Sequence, residues 1–262
     1  MKDENRDDYF QEQSSFLGGV FGLISFSTII PFRTHGNINS MAKVAWLWPF
    51  ISGIMGILGF FISYFLAEIL YLPSFLIAAI IYGFFLYING FNHLDGLLDV
   101  GDGIMVHGSA EKKIAIMRDS MIGTGAIGLF FIVAIITVAS LDSIIGYNLF
   151  LAIIILEISS KISLLTVSIS SKPCSDGIGK YFIEYLTTKK YIITIALSLF
   201  VSFLLLNYIG IFGIMGGILS GAIVSMISRR NFHVATGDVL GASNEIGRLF
   251  SALFILIVFI LH

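Results

Sequence analysis

The sequence predicts an all-α, polytopic integral membrane protein with about seven transmembrane helices and an N-terminal segment that is interfacial or re-entrant. Apolar residues make up 56% of the 262 residues, charged residues only 12%, and the mean hydropathy is +0.93, which is typical of multi-spanning membrane proteins. The charges are also confined to short stretches between long apolar runs. We therefore expect a polar tail at residues 1–15 and a single membrane domain at residues 16–262.

The first half of the chain predicts two spans and a short segment before them. Residues 16–32 are apolar, but they are glycine-rich and only about long enough to cross a bilayer, so we expect an interfacial or re-entrant segment. Span one covers residues 44–70 and span two residues 72–88. A hydrophilic stretch of about 30 residues follows and holds two further helical pieces, the second capped by Ser109.

The second half predicts five more spans. Span three covers residues 121–141 and span four residues 147–167. The apolar tract at residues 191–228 is too long for one helix at about 1.5 Å per residue, and its polar break at residues 207–210 divides it into spans five and six. Span seven covers residues 249–261.

The distribution of basic residues predicts the orientation. Alternating spans place the loops at residues 89–120, 168–190 and 229–248 on one side of the membrane, and the basic residues collect there, whereas the opposite loops contain no Lys or Arg. By the positive-inside rule we expect a cell-membrane protein whose polar side, with the active site, faces the cytoplasm. The sequence has no basic patch for nucleic acid, and its single cysteine excludes an internal disulfide.

An acidic helix between spans two and three is the first candidate site. Asp95, Asp99 and Asp102 stand at i, i+4 and i+7, which places three carboxylates on one helical face. Three unneutralised anions would repel one another, and oxygen ligands suit Mg²⁺. We predict a catalytic metal site with these three ligands; a solvated acidic surface is the alternative. A bound cation would also account for the glycines within this helix.

Residues around the acidic helix predict a phosphate-binding surface. His93 lies two residues before Asp95 and is a candidate catalytic base or orienting group. Arg118 and Asp119 precede a glycine-rich helix start that includes Gly123 and Gly125, where bare backbone N–H groups can bind phosphate.

Two further groups of polar residues are predicted to complete the site. Glu157 and Lys161 lie at i, i+4 inside span four, so we expect an intramembrane ion pair, with Lys161 also contacting substrate. Asp238 and Asn244 lie in the glycine-rich polar stretch before span seven and are candidate substrate-binding residues.

The motifs HLDGLLDVGDG, IMRDSMIGTGAIG and TGDVLGASNEIGRL, with the weaker FSTIIP near the start, resemble the cobalamin synthase (adenosylcobinamide-GDP ribazoletransferase) family over nearly the whole chain. The resemblance implies a Mg²⁺-dependent membrane enzyme of cobalamin biosynthesis. It would transfer cobinamide phosphate from adenosylcobinamide-GDP to alpha-ribazole or its 5'-phosphate and release GMP. It also implies a metal role for Asp95, Asp99 and Asp102.

Two other functions remain as alternatives. A CDP-alcohol phosphotransferase also holds metal on an aspartate-rich membrane helix, although its signature has wider spacing than this chain. A transporter could use the intramembrane charges as an ion path, but no internal repeat supports one. The sequence leaves open the base of the lower ligand and a homo-oligomeric state.

Overall fold

The structure is a computed structural model that describes residues 15–32 and 37–262. Within these ranges every regular element is a helix, apart from one isolated β-bridge between Pro173 and Ala235. Nearly all of the predicted polar tail lies outside the described residues. In chain order the helices are α1 (Phe16–Ser27), α2 (Ile38–Val44), α3 (Trp48–Glu68), α4 (Ser74–Ile88), α5 (Asn92–Met105), α6 (Ala110–Met117), α7 (Thr124–Gly146), α8 (Ala152–Ser170), α9 (Gly179–Tyr185), α10 (Thr188–Asn231) and α11 (Gly237–Leu261).

Side-chain caps begin several of these helices. The Ser15 hydroxyl accepts a hydrogen bond from the Gly18 N–H at 2.9 Å at the start of α1. Ser109 begins α6 in the same way, which confirms it as a cap. The twelve residues of α1 extend only about 18 Å, which is too short to cross a bilayer.

Among residues 15–32 and 37–262, five helical segments are long and apolar enough to cross a membrane, and the number is six when α4 and α5 are counted as one bent unit. These two helices meet at 94°. Helix α4 has 15 residues and extends about 22 Å, and α5 turns across its end beside the first turns of α7 and α11. The polar helix is thereby placed at one end of the bundle.

The long helix α10 reverses direction in its middle. Leu206 and Asn207 have non-helical backbone angles, and Asn207 has a positive φ of 50°. Tyr191 and Gly221 both contact Thr166, although a straight helix would separate residues 191 and 221 by about 45 Å. The predicted division of this tract into two spans is therefore confirmed. Counting its two arms separately brings the number of spans to seven.

Helix α8 is the centre of the bundle. Within the most apolar 18-residue stretch of α8, 94% of the residues are buried, whereas the corresponding share for α7 is 28%. Gly56 of α3, Gly217 of α10 and Gly247 of α11 each lie so close to α8 that a Cβ atom would meet its atoms at 2.8 Å or less. Small residues at these crossings let three neighbours approach the α8 backbone, as is common in membrane helix packing.

The start of α11 differs from the prediction. We expected a loop up to residue 248 and a span from residue 249, but the helix begins at Gly237, where the Thr236 hydroxyl accepts a hydrogen bond from the Val239 N–H at 3.3 Å. Asn244 and Arg248 of this stretch bind Lys161 and Glu157 on α8, and both side chains are buried within the bundle. Hydropathy alone assigns such residues to a loop.

Candidate functional site

Helix α5 lies in close contact with α11 and α7. A Cβ atom on Gly96 would lie 2.6 Å from the Asp238 carbonyl oxygen, and one on Gly101 would lie 2.8 Å from the Gly125 carbonyl oxygen. Any side chain at these two glycines would force the helices apart. Close packing therefore explains glycines that the sequence interpretation attributed to metal binding, and it fixes the carboxylates of α5 beside the first turns of α11 and α7.

Two carboxylates of α5 form no hydrogen bond within residues 15–32 and 37–262. Asp95 is exposed and Asp99 is half-buried. Partial burial and the neighbouring carboxylates of Asp238, Asp95 and Asp102 raise the pKa of Asp99 to about 7. The predicted clustering of anions is present, and Asp238 joins it from the first turn of α11.

Asp102 has a different environment from the other two carboxylates of α5. Its carboxylate accepts hydrogen bonds from the backbone N–H groups of Gly123 at 2.7 Å and Ala126 at 2.9 Å. An anion at the N-terminus of a helix satisfies its unpaired amides and interacts favourably with its dipole. Asp102 therefore caps α7 from outside that helix, and these two amides are not available to a phosphate as the sequence interpretation expected.

A cavity of about 390 Å³ opens beside this cap. It is bordered by Asp102, Asp119, Gly123 and Gly125, together with apolar side chains of α5 and the start of α7. The Asp119 carboxylate accepts a hydrogen bond from the Met121 N–H at 3.1 Å, which stabilises the turn before α7. The structure thus brings four predicted site residues to one opening.

Arg118 borders the site from the end of α6. Its Nη2 atom lies 2.8 Å from an oxygen of Asp176, and both side chains are more than half exposed. Hydrogen bonds from the Cys174 thiol and from Arg118 lower the pKa of Asp176 below its usual value. The sequence interpretation missed Asp176, because nothing in a polar loop identifies its partner.

A buried ion network lies beneath the site. Arg248 donates from Nε to Glu157 at 2.6 Å and from Nη1 to Glu245, and all three side chains are at most 1% exposed. Ser52 donates a further hydrogen bond to Glu157 at 3.0 Å. The predicted ion pair between Glu157 and Lys161 is wrong, because α11 inserts Arg248 as the partner of Glu157. The i, i+3 spacing of Glu245 and Arg248 is the sequence signal that could have indicated this helix.

Lys161 connects the network to α5. Its Nζ atom donates to Asn244 Oδ1 at 2.7 Å, lies 3.2 Å from His93 Nε2, and lies 5.6 Å from the centre of the Trp48 ring. Asn244 in turn donates to Glu245 at 3.0 Å. Lys161 and Asn244, predicted to bind substrate, are at most 1% exposed and bind each other instead.

The same contacts change the interpretation of His93. His93 Nε2 faces the Lys161 amine at 3.2 Å. Nδ1 is buried and has no hydrogen-bond partner in the described part of the chain. Neither ring nitrogen therefore faces the acidic site, where a substrate proton would have to be received. The imidazole links α5 to α8, directly before Asp95.

The donor set of the acidic site fits a hard cation. No group of three or more His, Cys, Asp or Glu side chains within the described ranges is already arranged to hold a metal ion. Mg²⁺, however, commonly binds only one or two carboxylates and completes its shell with water and substrate phosphates. Asp95 and Asp99 provide carboxylate oxygens to which no group in the described part of the chain is bound.

The fold and site define a polytopic helical membrane protein with an acidic site that lies across one end of its bundle. The chain belongs to the cobalamin-5-phosphate synthase family, whose model matches residues 19–256.

Curated relatives support the same assignment. A protein of Methanosarcina barkeri is 33% identical over 256 residues, which cover 91% of this chain and 90% of the relative. A Picrophilus torridus protein is 34% identical over 93% of this chain and 99% of the relative. A Pyrococcus furiosus protein is 34% identical over 86% of this chain and 94% of the relative. All three are named adenosylcobinamide-GDP ribazoletransferase. No solved structure matches the chain.

Proposed function

We propose that the protein is a membrane-bound adenosylcobinamide-GDP ribazoletransferase of cobalamin biosynthesis. The observation that carries this proposal is the family match over residues 19–256, together with relatives of that name at 33–34% identity over most of both chains. The family match does not favour a CDP-alcohol phosphotransferase or a transporter.

The proposed reaction is a phosphoryl transfer. A ribose hydroxyl oxygen of alpha-ribazole, other than the one at the 5' position, forms a bond to the phosphorus attached to cobinamide. The bond from that phosphorus to the bridging oxygen breaks, and GMP departs with the bridging oxygen. The hydroxyl proton is released. When alpha-ribazole 5'-phosphate is the acceptor, the same ribose hydroxyl attacks and the 5'-phosphate is retained in the product, in keeping with the family name cobalamin-5-phosphate synthase. Either reaction requires positioning and compensation of negative charge more than a covalent enzyme intermediate.

The carboxylates of Asp95 and Asp99 would hold Mg²⁺, because they project from one helical face and their oxygens bind no group among residues 15–32 and 37–262. Bound there, Mg²⁺ would neutralise charge on the diphosphate and on the departing GMP. Asp238 lies close enough to contribute, whereas both oxygens of Asp102 already bind the start of α7. The role of Asp102 in this proposal is therefore to position α7.

The residues around the cavity would orient the substrates. Arg118 is exposed and can exchange Asp176 for a substrate phosphate, while Asp119, Gly123 and Gly125 border the opening. His93, Lys161 and Asn244 would act from beneath by fixing the start of α5. This arrangement keeps the catalytic carboxylates in place without contact between the buried residues and substrate.

The polar end of the bundle would face the cytoplasm from the cell membrane. The basic residues at the ends of the spans, among them Lys172, Lys189 and Arg229, lie on the side that carries α5, and positive residues collect on the cytoplasmic side of membrane proteins. Cysteines introduced at Ser175 and Asn207 in a Cys174→Ser background test this. Labelling of Asn207→Cys only from the cytoplasm would contradict the proposed orientation.

Turnover by the purified protein tests the function. In detergent with adenosylcobinamide-GDP, alpha-ribazole and Mg²⁺, we expect GMP and the cobalamin product in equal amounts. An active preparation should also lose turnover on chelation of the metal and recover it when Mg²⁺ is restored. Absence of product from folded, metal-supplied protein with either alpha-ribazole or its 5'-phosphate would contradict the proposed activity.

A further inference from the structure

A second cavity lies at the polar end of the bundle, apart from the opening beside Asp102. It encloses about 390 Å³ between the last residues of α8 and the end of α10. Its lining residues are Ile169, Ser170, Ser171, Lys172, Arg229 and His233, which we call the basic pocket. The volume is within the range of small-ligand sites.

The charge of the basic pocket has one sign. Lys172, Arg229 and His233 contribute basic groups, the two serines contribute hydroxyls, and no carboxylate is among the lining residues. Within the described ranges none of the three basic side chains forms an ion pair. Basic groups that line a concave surface attract and concentrate anions.

Hydrogen bonds hold the walls of the basic pocket in place. Arg229 donates from Nη2 to the Ser170 carbonyl at 2.7 Å, which orients its guanidinium group toward the end of α8. The Lys172 carbonyl accepts from the Ala235 N–H at 2.8 Å, so the two chain segments that border the cavity are joined. The basic groups are thus presented by ordered backbone rather than by a free loop.

His233 is held in an uncommon backbone conformation. Its φ is 64°, a left-handed value that non-glycine residues adopt infrequently. Its Nδ1 atom lies 3.0 Å from the Arg229 carbonyl, which can only accept, so Nδ1 is the donor and Nε2 is left for another partner. The residue borders the cavity in spite of its backbone strain.

We infer that the basic pocket binds a phosphate group of an anionic ligand, with Lys172 and Arg229 as its charged contacts. Guanidinium and ammonium groups are the side chains that bind phosphate oxygens most strongly. The pocket stands at the ends of two membrane spans, where lipid phosphates lie, and basic pockets between membrane helices bind anionic headgroups. The chain leads from His233 of the basic pocket to Asp238 of the acidic site within residues 233–238. A nucleotide phosphate of the substrate is therefore the second possible source of the ligand, and this second source rests on the proposed function.

Binding by the purified full-length protein distinguishes the two sources. In one arm, native mass spectrometry in detergent counts bound phosphatidylglycerol and compares it with phosphatidylcholine. In the other arm, calorimetry measures GDP binding in the presence of a chelator, which removes the contribution of any metal at Asp95 and Asp99. Neither arm requires turnover, so failure of the proposed reaction in its own assay would leave these measurements valid.

Matched variants make the test specific. Lys172→Gln removes a charge whose side chain forms no hydrogen bond in the described part of the chain, and Arg229→Gln removes the second charge. Lys189→Gln is the control, because Lys189 is exposed at the same end but does not border the pocket. We expect one of the two anionic probes to bind the wild-type protein and to bind each pocket variant at least about tenfold more weakly, with the control unchanged.

The alternative outcomes are equally definite. Loss of phosphatidylglycerol identifies a lipid site, and loss of GDP identifies a substrate subsite. If Arg229→Gln unfolds, Lys172→Gln alone decides, because its fold is checked by thermal unfolding. The inference is overturned if neither probe binds the wild-type protein, if the pocket variants bind as the wild type does, or if Lys189→Gln weakens binding equally.

Discussion

Two groups of charged residues in this bundle have opposite environments. Glu157, Glu245 and Arg248 are almost completely buried and bind one another. Asp95 and Asp99, on a helix directly above them, have no partner within residues 15–32 and 37–262. The comparison shows that the role of a charged side chain in this membrane protein depends on whether an opposite charge is bound to it. Paired charges stabilise helix packing, whereas uncompensated charges at an accessible surface are available to bind a ligand.

The largest expected effect is loss of the buried cation. Arg248→Met leaves the buried carboxylates of Glu157 and Glu245 without their cation, and loss of one partner of a buried ion pair typically costs about 3–5 kcal/mol. We therefore expect a large decrease in thermal stability in detergent. Arg118→Gln is the matched control, because that arginine pairs with Asp176 at the surface, where ion pairs contribute little.

A neutral triple variant sharpens the same comparison. Combining Arg248→Met with Glu157→Gln and Glu245→Gln removes the desolvation cost together with the attraction, so stability should recover relative to Arg248→Met alone. A single Arg248→Met variant as stable as the wild type would show that the network does not hold α8 and α11 together.

The next effect concerns the unpaired carboxylates. Asp99→Asn should decrease turnover by at least about a hundredfold, because a neutral amide is a poor ligand for Mg²⁺ and charge compensation at phosphoryl groups is lost. Thermal stability should remain at or above that of the wild type, since the substitution removes repulsion among the carboxylates. Wild-type turnover in Asp99→Asn would show that this carboxylate does not serve the reaction.

The smallest predicted effect is at Asp102. Asp102→Ala removes the acceptor of two backbone N–H groups at the start of α7, and loss of such a cap costs about 0.5–2 kcal/mol. We expect a modest decrease in melting temperature. Asp102→Asn keeps one acceptor oxygen and should be affected less. Equal stability of Asp102→Ala and the wild type would contradict the capping role.

The sequence could predict features that depend on local pattern. The reversal within α10 was predictable because Asn207 is polar in an otherwise apolar tract that is too long for one span. The carboxylates of α5 were predictable from their helical spacing. Both depend on the order of residues along one segment.

Features that depend on contacts between segments could not be predicted from a single sequence. Spacing alone paired Glu157 with Lys161, but Arg248 approaches from α11 and forms the stronger contact. From the sequence, Gly96 and Gly101 were interpreted as signs of a bound ligand. In the structure they instead allow α11 and α7 to approach α5 closely. The helical start of α11 was missed because Asn244 and Arg248 find buried partners on α8, which the sequence does not show.

Manganese binding tests the contrast between the two groups most directly. Mn²⁺ favours the same carboxylate ligands as Mg²⁺, and its binding to the purified protein can be followed by electron paramagnetic resonance without substrates. We predict that Asp95→Asn and Asp99→Asn each weaken Mn²⁺ binding at least about tenfold, while Arg118→Gln and Asp102→Asn bind as the wild type does. Mn²⁺ binding that is unchanged in Asp95→Asn and Asp99→Asn would contradict the metal site proposed on α5.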